Sequence, residues 1–148
     1  MAMAGVVDVL RSPFDRGRGG PGGWIILLEP ELHLQDDVLV PDLAAWRRER
    51  MPQLPDTAYI DLAPDWICEV LSPGNAHYDR GVKMPRYAAA GVNFAWLLDP
   101  IEKTLEVFKL MPSNPSKWLL QATFSGDAAI YPEPFEALPF ELNALWEL

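Results

Sequence analysis

Two short and almost wholly apolar runs, DWICEVL at 65–71 and NFAWLLDP at 93–100, are separated by little more than one helix's length of chain. The first is rich in apolar and β-branched residues and is stopped by Ser72-Pro73-Gly74, which predicts a buried strand. Between the runs, Asp79 can cap a helix that reaches about Ala90, with Gly91 as its C-terminal stop. Two strands joined through one helix are expected to be parallel neighbours with a right-handed crossover. Pro85 falls inside that helix and predicts either a kink or the true first turn.

The flanking segments extend this α/β unit. WIILLEP from Trp24 and the later VLVPDLAAW read as an antiparallel hairpin bent at Asp36-Asp37. Pro41 within the second run suggests an edge position or a bulge, because it cannot donate to a ladder. TLEVFKL alternates as a half-exposed strand does, and KWLLQATF is its expected partner. The tail carries Pro132, Pro134 and Pro139 and is expected to wrap the surface before a short apolar piece around Leu142 to Trp146. Upstream, RSPFDRGRGGPGG at 11–23 predicts a flexible Gly-rich loop. The expected architecture is one α/β domain over 1–148, with a central mixed sheet, one crossover helix and a C-terminal β-meander.

Composition narrows the function classes. With 148 residues, 49% of them hydrophobic, the chain can bury a core and is not a disordered tail. No run approaches the roughly 18 to 20 apolar residues of a membrane-spanning helix, and the N-terminus lacks the basic and apolar regions of a signal peptide. A soluble protein without a membrane partner is expected. Cys68 is the single cysteine, which excludes an internal disulfide and a cysteine-rich zinc site and suits a reducing cytoplasm. Twelve Lys and Arg against 21 Asp and Glu leave a formal charge of -9, so contact with a polyanion requires a local basic surface.

Three charged residues interrupt apolar contexts: Asp42 after Pro41, Glu69 in the middle of the most apolar strand, and Lys83 on the following helix. A carboxylate in a buried strand is costly unless it is paired or holds a cation. Asp42 and Glu69 on one face of adjacent strands would repel each other, and a divalent cation would relieve that repulsion. The plainer alternative is an internal Glu69–Lys83 salt bridge, with Asp42 capping a turn. Other candidates carry less. His33 and His77 lack metal-ligand spacing, Ser72 lacks a nucleophile elbow, and Cys68 points to the face opposite Glu69. Trp66, Phe94, Trp96 and Phe108 read as packing residues.

VPDLAAWRRER, PDWICEVLSPGNAHYDRGVKMPRYAAAGVNFAWLLDP and TLEVF resemble the Uma family of restriction endonucleases, within the PD-(D/E)XK nuclease superfamily. The resemblance spans about residues 24–110. It implies a restriction-endonuclease-like core: a helix, three antiparallel strands, a crossover helix and a further strand. It also implies Mg²⁺- or Mn²⁺-dependent cleavage of DNA phosphodiester bonds. By position, Asp42 matches the first metal-binding Asp, Glu69 the acid of the (D/E)XK element, and Val70 a ligand through its main-chain carbonyl. The superfamily's usual lysine position holds Leu71, and Lys83 resembles a lysine relocated to the helix. Asp79 would then fix Lys83 or cap the helix, and Tyr87 would face the same side or simply pack.

The resemblance also implies a homodimer, with an N-terminus shorter than is usual in the family. Glu29 is a possible substitute for an acid carried by that segment, or a plain strand end. Arg47, Arg80 and Arg86, with Arg48 and Arg50, are the candidate landing surface for DNA. The alternative function is a catalytically inactive nuclease-fold domain that acts in protein interaction or regulation.

Overall fold

The computed structural model describes residues 2–113 and 115–146. Helix α1 (Ala2–Leu10) and a π-helical turn (Arg11–Asp15) lead into β1 (Trp24–Leu28). A small hairpin of β2 (Leu32–Leu34) and β3 (Asp37–Leu39) precedes β4 (Leu43–Arg47) and β5 (Trp66–Val70). The crossover helix has three consecutive parts: α2 (Ala76–Tyr78), a π-helical turn (Asp79–Lys83) and α3 (Met84–Ala89). Then come β6 (Phe94–Asp99), β7 (Thr104–Met111) and β8 (Lys117–Phe124). The last elements are β9 (Ala129–Ile130), β10 (Phe140–Glu141) and a 3-10 turn (Leu142–Leu145).

Six strands form one mixed sheet in the order β1-β4-β5-β6-β7-β8. Only β5 and β6 pair in parallel, as two strands joined through a helix do; every other neighbouring pair in that sheet is antiparallel. Both central strands are covered on both faces, which is why their sequences are continuously apolar rather than alternating. On one face Trp66, Cys68, Trp96 and Leu98 pack against Val6 and Leu10 of α1 and against Phe14. On the other, Ile67, Ala95 and Leu97 pack against Met84 and Tyr87 of the crossover helix and Leu32, Leu34 and Leu39 of the small hairpin. Glu69 lies on this second face, between Ile67 and Leu71.

Several local expectations are corrected. Residues 11–15 are helical rather than loop, because Phe14 is drawn into the core and Asp15 accepts a hydrogen bond from the Ile26 N–H (2.8 Å). The long hairpin exists as β1 against β4, but the bend is a second hairpin turning at Gln35-Asp36, held by its own buried leucines. Pro41 marks neither an edge nor a bulge: it precedes β4, an interior strand, and so costs the ladder no donor. The tail does not simply wrap the surface. Phe135 is fully buried, with its ring 5.0 Å from that of Trp66, and Leu142 and Leu145 join the same core.

The crossover helix starts at Ala76, so Asp79 is inside it and is not its cap. Pro85 sits in the first turn of α3, directly after the π turn, in which the Met84 N–H reaches the Asp79 carbonyl. In an unbroken α-helix the proline ring would collide with the Gly81 carbonyl and leave it without a donor; the widened turn accommodates both problems. Gly91, with φ 85°, ends the helix in the left-handed conformation that glycine adopts without strain.

Candidate active site

The register of β4 on β5 sets Leu43 opposite Cys68, so Asp42 comes beside Glu69 on the face covered by the crossover helix. Their link is reciprocal. The Asp42 N–H donates to Glu69 Oε1 (3.1 Å), and the Val70 N–H donates to Asp42 Oδ2 (2.6 Å). A strand residue's N–H and C=O point to the same side, so the Val70 carbonyl also opens toward Asp42. Glu69 is 2% exposed, whereas Asp42 is half-buried at the rim.

The crossover helix supplies the groups above this pair. Lys83 Nζ forms an ion pair with Glu69 Oε2 and donates to the Val40 carbonyl (3.1 Å), with Asp79 Oδ1 at 4.0 Å. The Tyr87 hydroxyl, on a fully buried side chain, donates to the same Glu69 Oε2 (3.0 Å). Asp79, Lys83 and Tyr87 are spaced by four. Four residues overshoot a full α-helical turn by about 40° and fall short of a wider π turn by a similar amount. The two errors offset each other, so all three side chains line one side.

Burial pushes the Glu69 carboxyl up to about 7; the Lys83 ammonium opposes this, while Asp42 and Asp79 add to it. Asp79 is also raised, chiefly by burial. Burial and the neighbouring carboxylates hold the Tyr87 hydroxyl far above its usual range, so it acts as a donor. Cys68 is raised by the same causes and lies on the opposite face, as an unreactive core thiol.

Among the described residues no three His, Cys, Asp or Glu side chains cluster as a ready cation site. The oxygens at hand are those of Asp42, Glu69 and the Val70 carbonyl. Asp42 Oδ1 takes no part in the bonds just described. Two carboxylates and a carbonyl are hard oxygen donors, the set that Mg²⁺ accepts together with water and phosphate oxygens. The residues present therefore fit such a cation, with Lys83 as its competitor for Glu69.

The structure brings Asp42, Glu69, Val70 and Lys83 together. It does not bring Arg47 to them: Arg47 lies five residues along from Asp42, about 16 Å at strand spacing, with its guanidinium 4.4 Å from the centroid of the Trp24 ring. Arg48 pairs with Asp15 (2.7 Å) and Arg50 with Asp65 (2.9 Å) beyond that same strand end. Arg80 and Arg86 are on the crossover helix itself, paired with Glu106 and with Asp37 (3.4 Å). Glu29 is exposed, and its N–H bonds the Asp42 carbonyl (2.9 Å). His33 stacks on Tyr59, with ring centroids 3.9 Å apart, and its ring nitrogen meets Glu31 (2.8 Å). Tyr87 and the Val40 carbonyl were not separable from packing in the sequence. The only signal for Tyr87 is its spacing from Lys83, which a core tyrosine shares.

The chain thus forms a mixed sheet with helices on both faces and an acidic pair at the ends of β4 and β5. A solved structure described as a putative nuclease belonging to DUF820, from Anabaena variabilis ATCC 29413, matches it with a TM-score of 0.74. That likeness covers 98% of this chain and 78% of the other at 24% identity, and it establishes the fold. The family model Uma2, described as a putative restriction endonuclease, matches residues 8–144, and the chain belongs to that family. No curated protein matches the chain.

Proposed function

We propose that this protein is a Mg²⁺- or Mn²⁺-dependent endonuclease that hydrolyses phosphodiester bonds of DNA. The observation that carries this reading is the Asp42–Glu69 pair, bound across two strands and met by Lys83 from the crossover helix. Asp42, Glu69 and the Val70 carbonyl are the proposed cation ligands. The bound cation would polarise the phosphate and lower the pKa of a coordinated water. Asp42 is half-buried and Glu69 buried, so Asp42 is the more accessible of the two to a phosphate. Lys83 supplies a positive charge beside the carboxylates and would orient the attacking water or offset the negative charge on the phosphoryl oxygens of the pentacoordinate transition state. Water would add to phosphorus as it gives up a proton, the bond to the departing deoxyribose oxygen would break, and that oxygen would take up a proton.

Arg80 and Arg86, on the helix that carries Lys83, are the proposed phosphate contacts, and DNA would exchange them out of their present ion pairs. The protein is proposed to work in a reducing cytoplasm as a homodimer, one copy for each strand of a duplex. Its open sheet edge, β8, is the proposed contact: Leu119 and Leu120 are each 49% exposed on it.

One observation favours the other reading, an inactive domain used for interaction. Glu69 Oε2 is already taken by both Lys83 and Tyr87. Cleavage of supercoiled plasmid and single-stranded DNA in Mg²⁺ and Mn²⁺ separates the two. The nuclease reading expects cutting that Asp42→Asn and Glu69→Gln each reduce by about 100-fold or more. No cutting and no cation binding would leave the interaction domain.

A further inference from the structure

Three donors hold the Glu69 carboxylate: the Asp42 N–H on Oε1, and Lys83 Nζ and the Tyr87 hydroxyl on Oε2. They differ in freedom. The Asp42 N–H is fixed by the backbone. Lys83 is a long side chain on four rotatable bonds, and the nuclease reading requires it to serve water or phosphate. Tyr87 is a rigid ring with no exposed surface, packed in the same core as Ile67, Met84 and Leu97. Were Lys83 the sole partner of Oε2, its departure would leave a buried carboxylate oxygen unpaired within an apolar wall, which is strongly unfavourable.

We infer that Tyr87 is the positioning residue of this site: it keeps Oε1 of Glu69 aimed at Asp42 and so releases Lys83 from a structural role. The inference rests on the metal-nuclease reading above. It assigns the helix two separate tasks one turn apart, with the lysine mobile and the tyrosine fixed. Groups that orient a cation ligand from behind are worth about 10–100-fold in metal affinity when removed.

The test is Mn²⁺ affinity of the full chain, measured by calorimetry, for wild type, Tyr87→Phe and Lys83→Ala. Tyr87→Phe keeps the ring and deletes the one hydrogen bond; about tenfold weaker Mn²⁺ binding is expected, with an unchanged metal-free circular dichroism spectrum. Lys83→Ala is expected to bind Mn²⁺ at least as tightly as wild type, because Tyr87 still holds Glu69 and the competing ammonium is gone. Equal affinity of wild type and Tyr87→Phe overturns the assignment of Tyr87 alone. So does a tenfold loss in Lys83→Ala, which applies even if Tyr87→Phe does not fold. A wild-type chain that binds no Mn²⁺ overturns the metal reading and Tyr87's role with it.

Discussion

Asp65 and Glu69 are two buried carboxylates on one strand and its approach, and their partners separate a structural acid from a functional candidate. Asp65 accepts the Arg47 N–H (2.8 Å) and the Asn93 amide (3.4 Å), and pairs with the Arg50 guanidinium (2.9 Å). Both of its oxygens are satisfied by groups that have no other task. Asp65→Ala is expected to cost about 2 kcal/mol in urea unfolding while leaving Mn²⁺ affinity unchanged, since it strands a backbone donor and a guanidinium. Glu69 behaves oppositely. Its folded-state pKa of about 7 lies above its ordinary 4.5, so the folded protein holds the proton more tightly than the unfolded chain does. That contribution is complete below about 4.5 and is lost as pH rises through about 7, so metal-free stability falls across this window. Melting in EDTA from acid to neutral pH is expected to show this slope in wild type and a flatter one in Glu69→Gln; parallel curves would refute it. Asp42, Glu69 and Lys83 were legible in the sequence because a charge in an apolar run needs a reason. Asp65 was not, because an acid at a strand's start reads as a solvated end until Arg50 and Asn93 arrive from elsewhere.

At the level of elements, β5 and β6 were readable as short apolar runs with stop signals, β7 from its alternation, and the crossover from the chain length between the two runs and Gly91 at its end. What sequence did not reveal depends on packing between distant segments. The leucines of the β2–β3 hairpin share a core with the crossover helix, and the tail enters the opposite core through Phe135, which meets Trp66 and Trp96, together with Leu142 and Leu145. The π turn was signalled by Pro85 but not specified by it, since a kink would have answered the same steric problem. Helix α1 and the final 3-10 turn meet through Gly5. A Cβ there would lie 2.7 Å from the Ala144 carbonyl oxygen and 2.8 Å from the Leu145 backbone, too close for any side chain. Gly5→Ala is therefore expected to lower stability by about 1–3 kcal/mol despite alanine's better helix propensity, as a shift in the unfolding midpoint. A neutral or stabilising result would mean that the two elements slide apart freely.

The whole molecule carries nine net negative charges, so two copies repel unless they meet where charge is sparse. Strand β8 offers such a place: Lys117 is the one charged residue in KWLLQATF. Among the described residues no backbone hydrogen bond from another element reaches its outer edge. The register shift at Gln121 leaves Lys117 to Leu120 as the regular stretch for pairing. Sedimentation is expected to show a dimer that Leu120→Lys converts to a monomer with an unchanged melting profile; an unaffected dimer would exclude this edge. The charge balance could not show this beforehand, because it does not tell an edge strand from a covered one. The opposite margin of the sheet is different. There the Asp15 carboxylate sits against β1 on the Ile26 N–H and is clamped by Arg48. A sheet open on one side and plugged on the other has the logic of a capped end: once two copies join at their open sides, each exposes only its plug, and growth stops at two instead of running on into a fibre.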